Sequence, residues 1–421
     1  MNWGIISLDN ACEVTSSKRV MSKNRTDCGI PFYCSKEIIQ LAKQEPVSDS
    51  EYISEKLYEE IVSKFGGISS NDILLTTRGT LGVPYLVKEN DIFYFGDGNL
   101  TWLRNFQDEV NSSYIYYYLL LKYNQNFYCS AATTIPFLTI NYIKQIKIPL
   151  PSRKEQDRIV SILANYDDLI VINRKKIVIL EEMVMRIYRE WFVHFRFPEY
   201  ESCEFESDLP KGWKLAPISD LIENYIGGGW GEESQSRDFS IGSYVIRGSD
   251  IPNVLNGIPN KELFRYHTPS NIASRELSEG DIVFEISGGS DNQPLGRNCL
   301  ITKSLLKTYG DKVICASFCK RLIPKRDYSE YLFGYLHQLW NVGALDAYSV
   351  RITGISNFKF EAFLKYHSVL MPPKEIVKKY SEIVNPIYNE VCKIGNSIDK
   401  LQKMRDRLLY QLLNGQLEIS C

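Results

Sequence analysis

Five groups of residues recur in one order along this chain of 421 residues, and that repetition constrains its fold more than any other feature. Trp3 to Glu13 returns as Trp213 to Glu223, 210 positions on, and Gly29-Ile30-Pro31-Phe32-Tyr33 through Ile38 returns as Gly242-Ser243-Tyr244-Val245-Ile246 through Ile251, 213 positions on. Asn71-Asp72-Ile73-Leu74-Leu75 with Gly79 returns as Gly280-Asp281-Ile282-Val283-Phe284 with Gly288, a displacement of 209. Tyr114, Tyr118 and Leu119 return as Tyr331, Tyr335 and Leu336 at 217, and Ile162-Leu163 with Leu180 as Ile383-Val384 with Leu401 at 221. A displacement drifting only from 209 to 221 is what one duplicated unit with loop insertions produces. Any single match would be weak, but five in order are not.

Each copy reads as two parts. The first is α+β: short β-branched and aromatic runs such as Asp91-Ile92-Phe93-Tyr94-Phe95 and Tyr244-Val245-Ile246, punctuated by Gly, Asn, Asp and Pro and mixed with brief helical patterns. The second is a long helix opening just after proline, from Arg153 to about Phe195 behind Pro149-Leu150-Pro151-Ser152, and from Lys374 to about Leu413 behind Pro372-Pro373. Ser152 with Glu155 makes a capping-box pattern, and Gly415 is placed to close the last helix. Apolar residues at Ile177, Leu180, Val184, Ile187 and Trp191, preceded by Ile159, Ile162, Tyr166 and Leu169, keep coiled-coil spacing. Ile387, Val391, Ile394, Ile398 and Leu401, resuming at Leu408 and Leu412, do the same. The expected architecture is therefore two similar globular α+β domains separated by a pair of long antiparallel coiled-coil helices, a pseudo-twofold internal repeat. The expected boundaries are a first domain at 1–150, a helix at 151–197, an acidic linker at 198–208, a second domain at 209–371 and a last helix at 372–421. A helix of about 40 residues is about 60 Å long, enough to hold two domains at a set distance.

The chain has ordinary globular usage, with 44% hydrophobic and 24% charged residues, so wholesale disorder is excluded. No membrane-length apolar window and no secretory leader pattern occur, which makes the cytoplasm the expected location. Ten scattered cysteines without a Cys-x-x-Cys pair read as reduced thiols and not as a metal site. Gly227-Gly228-Gly229-Trp230-Gly231 lacks the surroundings of a cofactor loop, and no Walker-type Gly-Lys-Ser/Thr, Asn-Pro-Pro-Tyr-like tetrapeptide, nuclease carboxylate-lysine pair or histidine triad spacing occurs. The expectation is a chain with no active site, no metal and no cofactor of its own.

A duplicated domain on a rigid spacer suits a bipartite ligand, and double-stranded DNA, read as two half-sites about 34 Å apart, is the natural candidate. Lys+Arg number 49 against 51 Asp+Glu, so basic residues must be sorted onto local faces for a duplex to bind. By segment the basic and acidic counts are 14 and 16 over 1–150, 9 and 8 over 151–200, 18 and 21 over 201–371, and 8 and 6 over 372–421. Candidate cations in the first copy are Lys18, Arg19, Lys23, Arg25, Arg78 and Arg104; in the second they are Arg247, Arg297, Lys320, Arg321, Lys325, Arg326 and Arg351. The polar turn Thr76-Thr77-Arg78-Gly79-Thr80 and its repeat partner Ser287-Gly288-Gly289-Ser290-Asp291-Asn292-Gln293 stand out, because each follows an apolar strand and the two differ. Arg78 pairs naturally with guanine, and Asn292 or Gln293 with adenine. Thr77, Thr80, Ser287 and Ser290 complete the candidate DNA-contacting set. A non-catalytic protein-binding scaffold with duplicated interaction domains is the rival reading.

The order Trp, Ile-Pro-Phe, Asp-Ile-Leu-Leu with a following Gly, then Ile148-Pro149-Leu150-Pro151-Ser152-Arg153-Lys154-Glu155-Gln156 running into Ile159-Val160-Ser161-Ile162-Leu163, and later Leu209-Pro210-Lys211-Gly212-Trp213, resembles the specificity subunit of type I restriction-modification systems over essentially the whole chain. The second copy departs, with Lys374-Glu375-Ile376-Val377 where Glu-Gln is expected. The resemblance implies two target recognition domains, each reading half of a bipartite DNA target. It also implies helices that set the spacer and dock two modification (methyltransferase) subunits, to which restriction (translocase/endonuclease) subunits add. S-adenosylmethionine and ATP would then bind the partners and not this chain.

Overall fold

The computed structural model describes the backbone and side chains of the chain apart from residues 1–2, 46, 48–49, 97, 127–136, 207, 289–293, 353–354 and 418–421, and gives only the backbone of 351, 352 and 355. It divides into two compact units, one formed by Met1–Asp168 with Gln402–Cys421 and the other by Leu169–Leu401.

In unit 1 the apolar run Ile73–Thr76 is buried along its whole length, as expected of a central strand covered on both faces. It lies in a four-stranded antiparallel sheet in the order Glu13–Thr15, Leu100–Arg104, Ile73–Thr76, Pro84–Leu86. A second sheet runs Arg25–Thr26, Glu51–Ile53, Ile30–Tyr33, Tyr94–Phe95, its last pair parallel. Gly4–Ser7 pairs separately with Lys147–Leu150. The helix Ser112–Asn124 starts at Asn111, whose side-chain oxygen accepts the amides of Ser113 and Tyr114 at 2.9 and 3.3 Å. Tyr114 and Tyr118 then donate their hydroxyls to the carbonyls of Pro149 and Lys147 at 2.7 and 2.9 Å, lacing the helix to the strand.

Unit 2 repeats this topology, with three strands in place of four in its second sheet. Its four-stranded sheet runs Ile222–Gly227, Cys319–Pro324, Ile282–Glu285, Asn298–Leu300, and Ile241–Ile246 lies antiparallel to Phe264–His267 and parallel to Val313–Cys315. Lys214–Pro217 pairs with Ser368–Met371, and Tyr331 and Tyr335 donate to the carbonyls of Leu370 and Ser368 in that last strand. The repeat expected from sequence is thus a repeat of strand order and of hydrogen bonds. The segment expected as an aperiodic linker at 198–208 is instead folded onto unit 2: Phe205–Glu206 pairs with Leu209–Pro210, and Phe197 is buried with its ring 5.6 Å from that of Trp213.

Both long helices form as expected, Arg153–Phe192 and Lys374–Leu413, the first ending three residues before Phe195, which takes a left-handed φ of 57°. The Ser152 hydroxyl accepts the Glu155 amide at 3.4 Å. Within unit 1, Ile159 and Leu163 pack with Leu409, Leu412 and Leu413. Within unit 2, Ile170, Ile177 and Leu180 pack with Val391, Ile394, Ile398 and Leu401, while Val184, Ile187 and Trp191 lie in one core with Val377, Val384 and Ile387. Numbers rise along one helix as they fall along the other, so the pairing is antiparallel in each unit. One expected seam residue is corrected: Leu169 is 48% exposed, and Ile170 fills the seam in its place. Leu169 belongs to a second row on one helix face with Ile172, Ile179 and Met183, all exposed, at steps of 3, 7 and 4 with Lys176 interrupting the apolar run. The compact units therefore divide inside both helices and not at their ends, because each helix half is buried by the core nearest to it.

Unit 2 also holds a small apolar cavity beside the helix pair, lined by Leu180, Glu181, Val184, Phe333, His337 and Ile387 among others. Burial pushes the Glu181 carboxyl up to about 7.

Candidate nucleic-acid interface

The turn at Thr76–Thr80 is built from the end of a buried strand. Fully buried Thr76 donates its hydroxyl to the Thr80 carbonyl at 2.6 Å and accepts the Val83 amide at 2.9 Å, while its own carbonyl takes the Gly82 amide at 2.7 Å. Gly79 and Gly82 adopt φ of 71° and 76°, the left-handed region that glycine enters without a Cβ penalty. A Cβ on Gly79 would meet nothing, so conformation and not space demands glycine there. At the root, the Thr77 amide donates to the Asn99 carbonyl at 2.8 Å and the Thr77 carbonyl accepts the Leu138 amide at 2.9 Å.

Unit 2 forms the same root. The Ile286 amide donates to the Phe318 carbonyl at 2.9 Å and the Ile286 carbonyl accepts the Phe358 amide at 2.8 Å. The bridge of Arg78 to Phe137 in unit 1 corresponds to the pairing of Ser287 with Asn357 in unit 2. The Thr76 position is held by Glu285, which forms a two-pronged buried ion pair with Arg297, Nε to Oε2 at 2.8 Å. Gly248 packs so tightly on this carboxylate that a Cβ would lie 2.3 Å from Oε1. Two equivalent strand ends are thus clamped by different side chains.

The expected contact residues separate on this geometry. Arg78 and Thr80 are exposed at the tip of the first turn, with the Arg78 guanidinium 6.0 Å from the Phe137 ring. Thr77 is buried, its hydroxyl directed to the Gly98 carbonyl at 3.5 Å, so it braces the turn and presents no side-chain atom to a ligand. Ser287 is buried with its hydroxyl 3.0 Å from the Asn357 amide oxygen, and Arg297 is the buried partner of Glu285; both are corrected from surface contacts to internal braces. Arg25 is ion-paired to Glu51 and lies 4.8 Å from the Phe32 ring. Arg104 is held by Glu13 at 2.9 Å, by the Phe65 carbonyl at 3.0 Å and over the Trp102 ring at 4.2 Å, and its hydrogen bond keeps the Glu13 carboxyl below the usual range. Arg247 grips Asp250 with Nε and Nη2, both at 2.9 Å; burial alone would raise that carboxyl, and the Arg247 bonds with Asn260 outweigh it and hold it low. These three cations are already neutralised. Ser290, Asn292 and Gln293 lie outside the described residues, and of Arg351 only its place in the strand Ser349–Ile352 is described.

Sequence reading missed the roles of Thr76 and Glu285, whose only signal is that each is a polar residue ending a buried run. It also missed a polar group inside the unit 1 helix pair, where Arg405 binds Asp167 at 2.7 Å and the Tyr117 hydroxyl donates to the same carboxylate at 2.7 Å. Arg405 continues the heptad spacing of Ile398 and Leu401, which is the signal that could have found it. Among the described residues no helix is long and apolar enough to cross a membrane.

Comparison with known proteins agrees with this architecture. The family model of the type I restriction modification DNA specificity domain matches residues 1–182. The chain is 23% identical over 431 residues to the type I restriction enzyme MjaIX specificity subunit of Methanocaldococcus jannaschii, covering 99% of this chain and 94% of the relative. It is 31% identical over 167 residues to the putative type I restriction enzyme specificity subunit S.HindORF215P of Haemophilus influenzae, covering 39% and 40%. The crystal structure of a type I restriction-modification system S subunit from M. genitalium shares the fold at a TM-score of 0.56 and 16% identity, over 100% of this chain and 97% of that one. With a matching domain model in the first copy, a similar topology repeated in the second and one curated relative matched along nearly its whole length, the chain is similar throughout to the specificity subunits of type I restriction-modification systems.

Proposed function

We propose that this chain gives a type I restriction-modification complex its DNA sequence specificity, each α+β domain reading one half of a bipartite, asymmetric target. The observation that carries this reading is the pair of equivalent strand ends, rooted by matching backbone hydrogen bonds at Thr77 and Ile286 and followed by segments that differ in sequence. A fixed root with a variable tip is what two related readers of different half-sites need. Arg78, exposed and without an ion pair among the described residues, is the first candidate for a base-edge contact in the major groove.

The long helices serve as the spacer and as the dock for two methyltransferase subunits. Support for docking is the exposed row Leu169, Ile172, Ile179 and Met183, apolar surface that the helix pair itself leaves open. Restriction subunits join through that assembly, which works in the cytoplasm. In this reading the chain is not itself an enzyme, and S-adenosylmethionine and ATP bind the partner subunits. Methylome sequencing of cells expressing the chain with its modification partner is the test: a single split motif, absent when the chain is omitted, is expected. Methylation whose sequence is independent of this chain would sink the reading.

A further inference from the structure

We propose that the loop Ser16–Asn24 of unit 1 grips the DNA backbone through Lys18, Arg19 and Lys23, and that it carries much of the salt-dependent, sequence-independent part of the affinity. This rests on the DNA reading above and adds to it which residues hold phosphate.

The cations nearest to this loop in sequence and in the sheet are spoken for: Arg25 by Glu51 and Arg104 by Glu13. Lys18, Arg19 and Lys23 are all exposed, and among the described residues none is ion-paired. Lys18 Nζ stands 5.2 Å from the Phe65 ring, a contact that orients the ammonium without cancelling its charge.

The loop's backbone is fixed while these side chains face solvent. Buried Ser17 donates its hydroxyl to the Phe95 carbonyl at 2.8 Å, and the Tyr94 hydroxyl donates to the Lys18 carbonyl at 2.8 Å. Val20 is buried in a cluster with Phe32, Ile53, Ile61 and Tyr94. A 3-10 turn at Ser22–Asn24 closes with the Asn24 amide on the Met21 carbonyl at 2.9 Å. A loop ordered in advance loses little conformational freedom when it meets a rigid polyanion.

Its position suits the same duplex as Arg78. The connection from Phe95 to Asn99 receives Ser17 at its first residue and the Thr77 amide at its last. Four residues of backbone reach at most about 14 Å, so basic loop and polar turn fit within one half-site.

Unit 2 differs at the equivalent place. Between the equivalent strands, residues 16–29 carry Lys18, Arg19, Lys23 and Arg25 against Asp27, whereas 228–240 carry Arg237 against Glu232, Glu233 and Asp238. Backbone grip of this kind is therefore built into the first domain and not the second.

The test is a titration of the full chain, with its modification subunits, against its methylated target sequence and a scrambled duplex over a series of salt concentrations. Each neutralised phosphate contributes about 0.9 to the slope of log K against log salt, so K18Q/R19Q/K23Q is expected to be shallower by about 2 to 3 on both duplexes. R19Q and K23Q alone are expected to lose about 0.9 each, which keeps the test alive should the triple variant misfold. The charge-keeping variant K18R/R19K/K23R should retain the slope, and the methylated motif should be unchanged throughout. Slopes equal to that of the unaltered chain, or a changed motif, overturn the proposal while leaving DNA recognition standing. An unaltered chain with no salt-dependent binding overturns DNA recognition itself, and this proposal with it.

Discussion

The carbonyl of Pro151 takes a hydrogen bond from the side chain of Gln156 at 2.9 Å, and the carbonyl of Pro372, 221 positions later, takes one from the Tyr328 hydroxyl at 3.0 Å. Gln156 is fully buried, donating also to the Glu109 carbonyl and accepting the Asn111 amide; Val377 occupies its place in unit 2 and is fully buried too. The departure of the second copy from Glu-Gln thus has a physical reason, since the donor has moved to Tyr328, the residue that precedes the helix Ser329–Asn341. Asp72 and Asp281 show the same pattern: both accept the amide three residues before them, but the first is bonded by Trp102 and the second by Arg321. Such exchanges are invisible in one sequence, because a polar residue ending a strand reads alike whether it braces the interior or meets a ligand. Thr77, Ser287 and Arg297 were misread for that reason, while Arg78 and Thr80 stayed at the surface. Arg78→Ala is expected to weaken binding by about 1 to 3 kcal/mol and to relax one half-site only, measured by titration at fixed salt. Unchanged affinity and preference would remove Arg78 from the reader.

Elements were more legible than residues. Proline before each start and apolar residues at heptad spacing located both long helices to within three residues, since sustained periodicity leaves little choice of structure. The error between Leu169 and Ile170 arose because the first helix carries two apolar rows, and spacing alone does not say which one is covered. Inside the pair, Arg405 and Asp167 sit where a further apolar contact would serve, so Arg405→Ala leaves a half-buried carboxylate and a tyrosine hydroxyl without their cation. It is expected to lower stability by about 2 kcal/mol, read from denaturant unfolding. Glu181 makes a pH prediction. Its folded pKa of about 7 lies above the unfolded value, so its contribution to stability is complete at acid pH and is lost as pH rises through 7. Glu181→Gln should therefore gain about 2 kcal/mol over the unaltered chain at pH 8, with little difference at pH 5, in thermal unfolding. An equal effect at both pH values would mean that the carboxyl does not titrate there.

The duplication was legible at the scale of the whole molecule, because matching strand orders leave matching runs of apolar residues at displacements that drift only from 209 to 221. The division of the chain was not legible, because it depends on which core each helix half meets. The spacer role makes its own prediction: removing four residues, about one turn, from within Ile170–Arg174 of the first helix, with the four residues Ile398–Leu401 removed from the second, should change the gap between half-sites by one to two base pairs, from about 5.4 Å of helix against about 3.4 Å per base pair. Methylome sequencing should return the same two half-sites; altered half-sites with an unaltered gap would refute the measuring role. Leu409, Leu412 and Leu413 bring a further consequence, since they are buried in the core of unit 1 while unit 2 is one unbroken stretch of chain. On the ribosome, unit 1 is expected to close only once residues 409–413 have emerged, after the whole of unit 2. A stop codon just ahead of Leu409 is expected to release a closed unit 2 and an open unit 1.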